Sequence, residues 1–121
     1  MKYMLLVHHD EETFNQRSEA ERTGLIRESV KLANDLHASG RYLSAAPLHP
    51  TSETVCVRVR DGNRLITDGP FAETREQLGG YFLVDAKDRE EAMEIAARIP
   101  GAHIGVVEVR QVTEDEGLPD R

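Results

Sequence analysis

Two side chains in this sequence, Asp68 and His8, could carry out acid/base chemistry. Asp68 ends a predicted strand before a Gly-Pro turn, where its carboxylate could act as a general base or hold a histidine tautomer. It could equally accept hydrogen bonds from the backbone of its own turn. His8 lies at the carboxyl end of the first predicted strand and could partner a carboxylate. We predict this Asp–His pair as a catalytic hypothesis, with their proximity in space left open.

Five further residues are candidates for contacts with a small ligand. Gly69 permits positive φ and Pro70 fixes its own φ, so both shape the loop that carries them. Phe71 could wall a pocket, although an anchoring contact in the core is favoured. Arg58 could hold a carboxylate bidentately or form an ion pair with an acidic neighbour. Tyr81 could donate a hydrogen bond across a cleft or be a core tyrosine with one satisfied hydroxyl.

The sequence gives no support for a metal or a cofactor. His8 and His9 face opposite sides of an extended strand, and His8 with Asp10 supplies too few ligands for a closed metal site. Cys56 alternates with valines and has no adjacent His or Lys, which predicts a buried, inert thiol. Phosphate-loop, dinucleotide-binding and nucleophile-elbow motifs are missing from the sequence.

Composition limits the class of protein. A chain of 121 residues suits one domain, which we place at residues 1–112, with an acidic flexible tail at 113–121. The net charge of −7 and the absence of Trp argue against direct binding of nucleic acid. The N-terminal apolar run is too short for a signal or membrane segment, and a single cysteine fits a reducing compartment, so the cytoplasm is predicted.

The elements that must position these residues follow from periodicity, caps and turns. Capping boxes at Ser18–Glu21 and Asp88–Glu91 open two predicted helices. Asp61-Gly62 predicts a hairpin turn. The predicted strands are 2–8, 41–46, 54–60, 64–67, 81–86 and 104–112. The first predicted helix spans residues 19–39, and the second ends before Pro100. Residues 74–78 are predicted as one helical turn that Gly79-Gly80 stops. Without the extra hairpin strand and the short strand the order is βαββαβ, which predicts an α+β, ferredoxin-like core.

Both faces of the first strand are apolar, which predicts a homodimer. Tyr3, Leu5 and Val7 point to one side, and Met4 and Leu6 point to the other. Two helices can cover only one face of a sheet. The second face therefore requires a partner subunit.

Three segments carry a resemblance to a known family. The run from Asp68-Gly-Pro-Phe71 to Gly79-Gly-Tyr81 resembles the hallmark of YCII-related proteins of the DGPF type. Residues 1–6 and the stretch from Ala96 to Arg110 are similar to the family in the same order. The resemblance spans about residues 1–112. It implies a dimeric α+β barrel with a cleft bordered by the sheet.

The resemblance implies two kinds of function. Some YCII relatives are small-molecule lyases with a His–Asp pair, whose histidine lies on the first long helix about three turns before its terminal glycine. Counting back from Gly40 places Ser29 there in this chain. DGPF-type members also resemble proteins encoded beside alternative sigma factors, which implies a regulatory partner. The leading expectation is a dimeric accessory or small-ligand-binding protein; a lyase or isomerase using Asp68 and His8 and a sigma-factor partner are the alternatives.

Overall fold

The chain forms an α+β fold, and the computed structural model describes residues 1–119. Within this range the strands are β1 (Lys2–His9), β2 (Tyr42–Pro47), β3 (Val55–Arg60), β4 (Asn63–Asp68), β5 (Gln77–Asp85) and β6 (Val106–Gln111). The helices are α1 (Glu11–Gln16), α2 (Glu19–Ala38) and α3 (Arg89–Arg98), and short 3-10 turns cover Thr51–Glu53 and Pro100–His103.

Both long helices begin at the caps that the sequence predicts. Ser18 Oγ accepts a hydrogen bond from the Glu21 amide at 3.1 Å, and Asp88 Oδ1 accepts one from the Glu91 amide at 2.8 Å. Each bond satisfies an amide that has no partner inside the helix, which fixes where α2 and α3 start.

The main sheet has the strand order β2-β5-β1-β6, and every neighbouring pair is antiparallel. With α2 and α3 in the two crossovers, this arrangement confirms the ferredoxin-like core. Its second strand is β2, and both β3 and β4 lie outside it, so the prediction that the short strand is an addition to the core is wrong. The buried core joins residues of β1 and β5 to residues of both helices: Tyr3, Leu5, Phe82, Val84, Leu32, Leu36, Ala92 and Ile95. The helices therefore cover one face of the sheet. We call the other face, which carries Met4, Leu6, His8, Leu83, Glu108 and Arg110, the open face.

The hairpin β3–β4 forms a separate two-stranded sheet. Asp61 and Gly62 have φ angles of 51° and 75°, which is the left-handed pair that a tight hairpin turn requires. The pair Val57 and Ile66 lies across the two strands, and both side chains are exposed. The hairpin therefore contributes nothing to the buried core of this chain.

The prediction of a helical turn at residues 74–78, stopped by Gly79-Gly80, is wrong. β5 starts at Gln77 and continues through both glycines, because its backbone pairs with β1 on one side and β2 on the other. Val7 faces Gly80 and His8 faces Leu78, so Gly79 is the extra residue of a β-bulge. Long-range pairing overrides the local signal that two glycines end a segment.

Four further parts of the sequence prediction can be compared with the structure. The short helix α1 is missing from the prediction, because it is polar and only 6 residues long. Phe71 is not a core anchor: its side chain is 83% exposed, because the loop that carries it follows the separate hairpin. The Cys56 thiol is only partly buried and donates to the Gly69 carbonyl at 3.3 Å. The predicted tail carries no helix or strand at residues 113–119, and its residues 120 and 121 lie outside the described range.

Candidate functional site

A cavity of about 540 Å³ lies between α2 and the helix-covered face of the sheet. The C-terminal half of α2 buries Leu32 and Leu36 in the core. Closer to its N-terminus, Ile26 and Val30 line the cavity and are 56% and 54% exposed. Exposed apolar residues on a core-facing helix indicate that this part of α2 does not reach the sheet, so the gap between the helix and the sheet is open.

The lining of the cavity is apolar and uncharged. Its floor includes Val7, Ala45 and Phe82 on the sheet, and its α2 wall includes Leu25 and Ala33. Within residues 1–119, none of the residues that line the cavity is Asp, Glu, Lys or Arg. An isolated charge in such surroundings would lose its hydration without gaining a partner. The arrangement therefore favours an uncharged molecule.

Some polar groups in the lining are already satisfied by the protein. Ser29 Oγ donates to the Leu25 carbonyl at 3.0 Å, and Asn34 Nδ2 donates to the Val30 carbonyl at 3.0 Å. Tyr81 pairs with Leu6 and Ser44 pairs with Leu83, so the contact of 3.2 Å between Tyr81 Oη and Ser44 Oγ lies on the open face, away from the cavity. The bonds of Ser29 and Asn34 each use one donor within α2, and the oxygen atoms of both side chains can still accept. Ser29, at the position where the resemblance implies a catalytic histidine in relatives, thus lies in the cavity wall with its hydroxyl bound to its own helix.

His9 occupies a different position in the lining. Its ring lies 4.9 Å from the Phe14 ring, measured between centroids. A Cβ built on Gly79 would lie 2.2 Å from His9 Cε1 and 2.7 Å from Nδ1, which no real side chain tolerates. Gly79 therefore leaves the space that the imidazole occupies, and Phe14 packs against the ring from α1.

Partial burial controls the protonation of His9. Desolvation lowers the pKa of His9 below its ordinary value of 6.5, because burial disfavours the charged imidazolium. The carboxylates of Glu11, Asp10 and Glu76 oppose this effect, whereas His8 reinforces it. With the lower pKa, the His9 ring is neutral near pH 7 and can offer one nitrogen as a donor and the other as an acceptor.

The segment after His9 is held in place by its own hydrogen bonds. The carboxylate of Glu11 accepts two hydrogen bonds from Thr51. The Thr51 amide donates to Oε1 and the Thr51 hydroxyl donates to Oε2, each at 2.9 Å. Asp10 Oδ1 accepts from the Thr13 amide at 3.3 Å, and this bond, with the one from Arg75, lowers the pKa of Asp10. These contacts tie the β1–α1 junction to neighbouring segments, so the position of His9 is fixed from both sides.

The predicted catalytic residues Asp68 and His8 do not line the cavity. Asp68 is exposed at the end of β4, and no hydrogen bond or ion pair joins its carboxylate to a histidine among residues 1–119. His8 lies on the open face, where Nε2 is 2.5 Å from Glu108 Oε1. The Nε2 atom is buried, yet the contact does not have the angles of a hydrogen bond. We regard this contact as a close approach of two polar groups rather than a formed bond.

Of the predicted ligand-binding residues, only Tyr81 lies in the cavity lining. Gly69 has a φ of 88°, as its predicted role in shaping the loop requires, and Pro70 follows it with partial burial. Arg58 is exposed on the hairpin, and within residues 1–119 it forms no ion pair with an acidic residue. Phe71 is exposed beyond the hairpin.

Sequence reasoning missed His9 and Gly79 as residues of the site. One signal for His9 was present: it alternates with Leu5 and Val7, which face the helices. No local signal existed for Gly79, because its role depends on pairing with a strand about 70 residues away in the chain.

No group of three or more His, Cys, Asp or Glu side chains within residues 1–119 is arranged to hold a metal ion. In the same part of the chain, no helix has the length and apolar character needed to cross a bilayer.

Comparison with known proteins identifies the family of this chain. A family model described as the YCII-related domain matches residues 1–115. A protein of Rhizobium meliloti (strain 1021), named Uncharacterized protein R00369, is 32% identical over 112 residues, which cover 91% of this chain and 90% of the relative. Since the family model spans nearly all of the sequence and the relative matches along its length, the chain belongs to the YCII-related family.

Proposed function

We propose that this protein binds a small, mostly apolar molecule in the cavity between α2 and the sheet. The observation that supports the proposal is the cavity itself: about 540 Å³ bounded by apolar side chains. Ligand sites in proteins are commonly apolar clefts of roughly 300–1,000 Å³ with a few polar groups that orient the ligand. The exposed apolar residues of α2 gain burial only if something enters the gap.

Filling the cavity tests this function. Ala33 lies in the α2 wall and is partly buried, so Ala33→Phe places a ring inside the gap. Ala20 is exposed on the same helix, and Ala20→Phe provides a matched control outside the lining. A thermal-shift screen of uncharged compounds identifies binders, and calorimetry then measures their affinity. We expect Ala33→Phe to weaken binding by about tenfold or more and Ala20→Phe to leave it unchanged.

A second filling variant guards against a folding defect in the first. Val30 lines the cavity and is half exposed, so Val30→Trp should fill the same space with less disturbance of the core. Circular dichroism checks that each variant is folded. Undiminished affinity in both folded filling variants would mean that the compounds bind elsewhere and would contradict the proposal.

The protein is proposed to act as a homodimer that covers the open face. Both α2 and α3 lie on the opposite side of the sheet, and Met4, Leu6 and Leu83 leave an apolar, partly exposed surface in a single chain. Burial of such a surface favours association. Sedimentation should give twice the 13.6 kDa mass of one chain. Leu6→Arg should yield monomer, whereas Met93→Arg, exposed on α3, should not. A monomeric wild-type protein at micromolar concentration would contradict the proposal of a homodimer.

Two other functions stay predictions. Acid/base catalysis by Asp68 and His8 requires the two side chains to act on one substrate, and saturable turnover that disappears in a folded Asp68→Ala variant would establish it. A sigma-factor partner rests on the family resemblance and the net charge of −7, which suits a basic surface. Recovery of only the protein itself in a pull-down with sigma factors at physiological salt would argue against such a partner.

A further inference from the structure

We infer that His9 selects the ligand of this cavity: an uncharged, mainly apolar molecule with a hydroxyl or similar neutral group that hydrogen-bonds the imidazole. The inference rests on the proposed function and specifies the chemistry of its ligand. It follows from which polar groups in the lining are still free to bind, and from how the His9 ring is held.

The absence of charge in the lining defines one half of the ligand's chemistry. No residue of the lining within residues 1–119 is acidic or basic, so a carboxylate, phosphate or ammonium group would enter without a counter-ion. The carboxylates of Glu11, Asp10 and Glu76 raise the pKa of His9 against the effect of burial, and the same negative charges would repel an anion bound there. An uncharged ligand avoids both costs.

The state of the polar groups defines the other half. Ser29 and Asn34 each donate to a carbonyl group of α2, which leaves Ser29 mainly an acceptor, and Asn34 is exposed to solvent. The Tyr81 hydroxyl contacts Ser44 on the open face. His9 has no such bond to the described residues and is partly buried, so a ligand would meet little competition from water there. His37 also lines the cavity, but it is exposed, and a hydrogen bond to it would be weakened by solvent.

The ring is held in a defined place, as recognition requires. Gly79 provides the space for the Cε1–Nδ1 edge, because any side chain at that position would collide with it. The Phe14 ring packs against the His9 ring, with 4.9 Å between the two ring centroids. A side chain held on two sides loses little further freedom when it binds a ligand, so more of the hydrogen bond appears as affinity.

Three probes of one shape separate apolar contact, hydrogen bonding and charge. Naphthalene carries no polar group, 2-naphthol carries a neutral hydroxyl, and 2-naphthoate carries an anion. The chain contains no Trp, so naphthyl fluorescence can report binding without interference from indole. At neutral pH we expect wild-type protein to bind 2-naphthol roughly fivefold more tightly than naphthalene, and 2-naphthoate most weakly.

Variants at His9 assign the preference to the imidazole. His9→Phe keeps a ring beside Gly79 but removes both nitrogens, and it should bring the ratio of 2-naphthol to naphthalene affinity close to one. His9→Gln keeps an amide that can donate and accept, and it should retain part of the ratio. The matched control is His49→Phe, an exposed histidine outside the lining, which should behave as wild type.

The results test the role of His9 separately from the proposal that the cavity binds a ligand. If His9→Phe keeps the wild-type ratio, if His37→Phe abolishes it instead, or if 2-naphthoate binds more tightly than 2-naphthol, the role of His9 is refuted. Equal binding of naphthalene and 2-naphthol to every folded protein also refutes it and leaves the cavity as a ligand site. Failure of all three probes to bind wild-type protein counts against both proposals.

Discussion

Replacement of Gly79 by alanine should destabilise the protein through a collision with one side chain, His9. The added Cβ would lie 2.2 Å from His9 Cε1, far inside van der Waals contact. Gly79 has no left-handed φ angle, so alanine meets no backbone strain there and the cost comes from the imidazole alone. Overpacking of this kind costs about 1–3 kcal/mol of unfolding free energy.

A double-mutant cycle isolates that collision. In a His9→Ala background the imidazole is gone, so Gly79→Ala should cost nothing, or stabilise by roughly 0.4–1 kcal/mol because alanine restricts the unfolded chain. The expected coupling energy between the two positions is therefore about 1–3 kcal/mol. Urea unfolding followed by circular dichroism, at one fixed protein concentration, measures all four proteins.

A second glycine supplies the control. Gly24 lies inside α2, and a Cβ built there meets nothing within 4 Å. Gly24→Ala should stabilise the protein by about 0.5–1 kcal/mol, since alanine favours a helix. An equal cost of Gly79→Ala with and without the His9 ring would refute the assignment of the bulge as the space for the imidazole.

Three further predictions follow from the core and from two titrating groups. Leu36→Ala should lower the unfolding free energy by about 2–5 kcal/mol, because Leu36 is 1% exposed among other core residues. Burial lowers the pKa of His9, so stability should be complete above the unfolded value of 6.5 and should fall as pH drops towards the folded pKa; His9→Gln should remove this component. Arg41 holds both carboxylate oxygens of Glu91, at 2.8 and 3.0 Å, and these hydrogen bonds lower the pKa of Glu91. The stability from this pair should be present above the unfolded value of 4.5 and lost as pH falls through the folded pKa, and Glu91→Gln should remove that loss.

Denaturant midpoints over a pH series measure both titrations. The control for the core variant is Val59→Ala, which lies exposed on the hairpin and should change stability by less than about 0.5 kcal/mol. A pH profile for His9→Gln that overlays wild type between neutrality and mildly acidic conditions would show that His9 does not titrate in a desolvated site. If the pH profiles of Glu91→Gln and wild type overlay at lower pH, the hydrogen bonds from Arg41 do not lower the pKa of Glu91.

Much of the architecture could be predicted because its causes are local. The caps at Ser18 and Asp88 act on amides three residues away, and Asp61-Gly62 determines its own turn. The alternation of β1 correctly places Tyr3 and Leu5 in the core. In each case the responsible groups are close neighbours in the chain.

The site could not be predicted in the same way. Asp68 and Phe71 stand out as residue types next to a turn. Both are exposed because Asp68 ends the hairpin and Phe71 follows it, and the hairpin lies outside the main sheet. The cavity arises from the path of α2 over the sheet, which no segment encodes by itself. Sequence motifs therefore could not predict its lining, because they detect reactive residue types that lie close together in the chain.

The sequence by itself determined the order of the six strands and the two long helices, the ferredoxin-like class and the helix-facing parity of His9, because these depend on neighbouring residues and strand alternation. The tertiary structure alone decided that Gly79 would become a bulge beside His9. Register between β1 and β5 is set by the burial of one whole sheet face, and it determines which distant residues meet. The cavity depends on that pairing and on the gap beneath α2, so it exists only once the chain has folded.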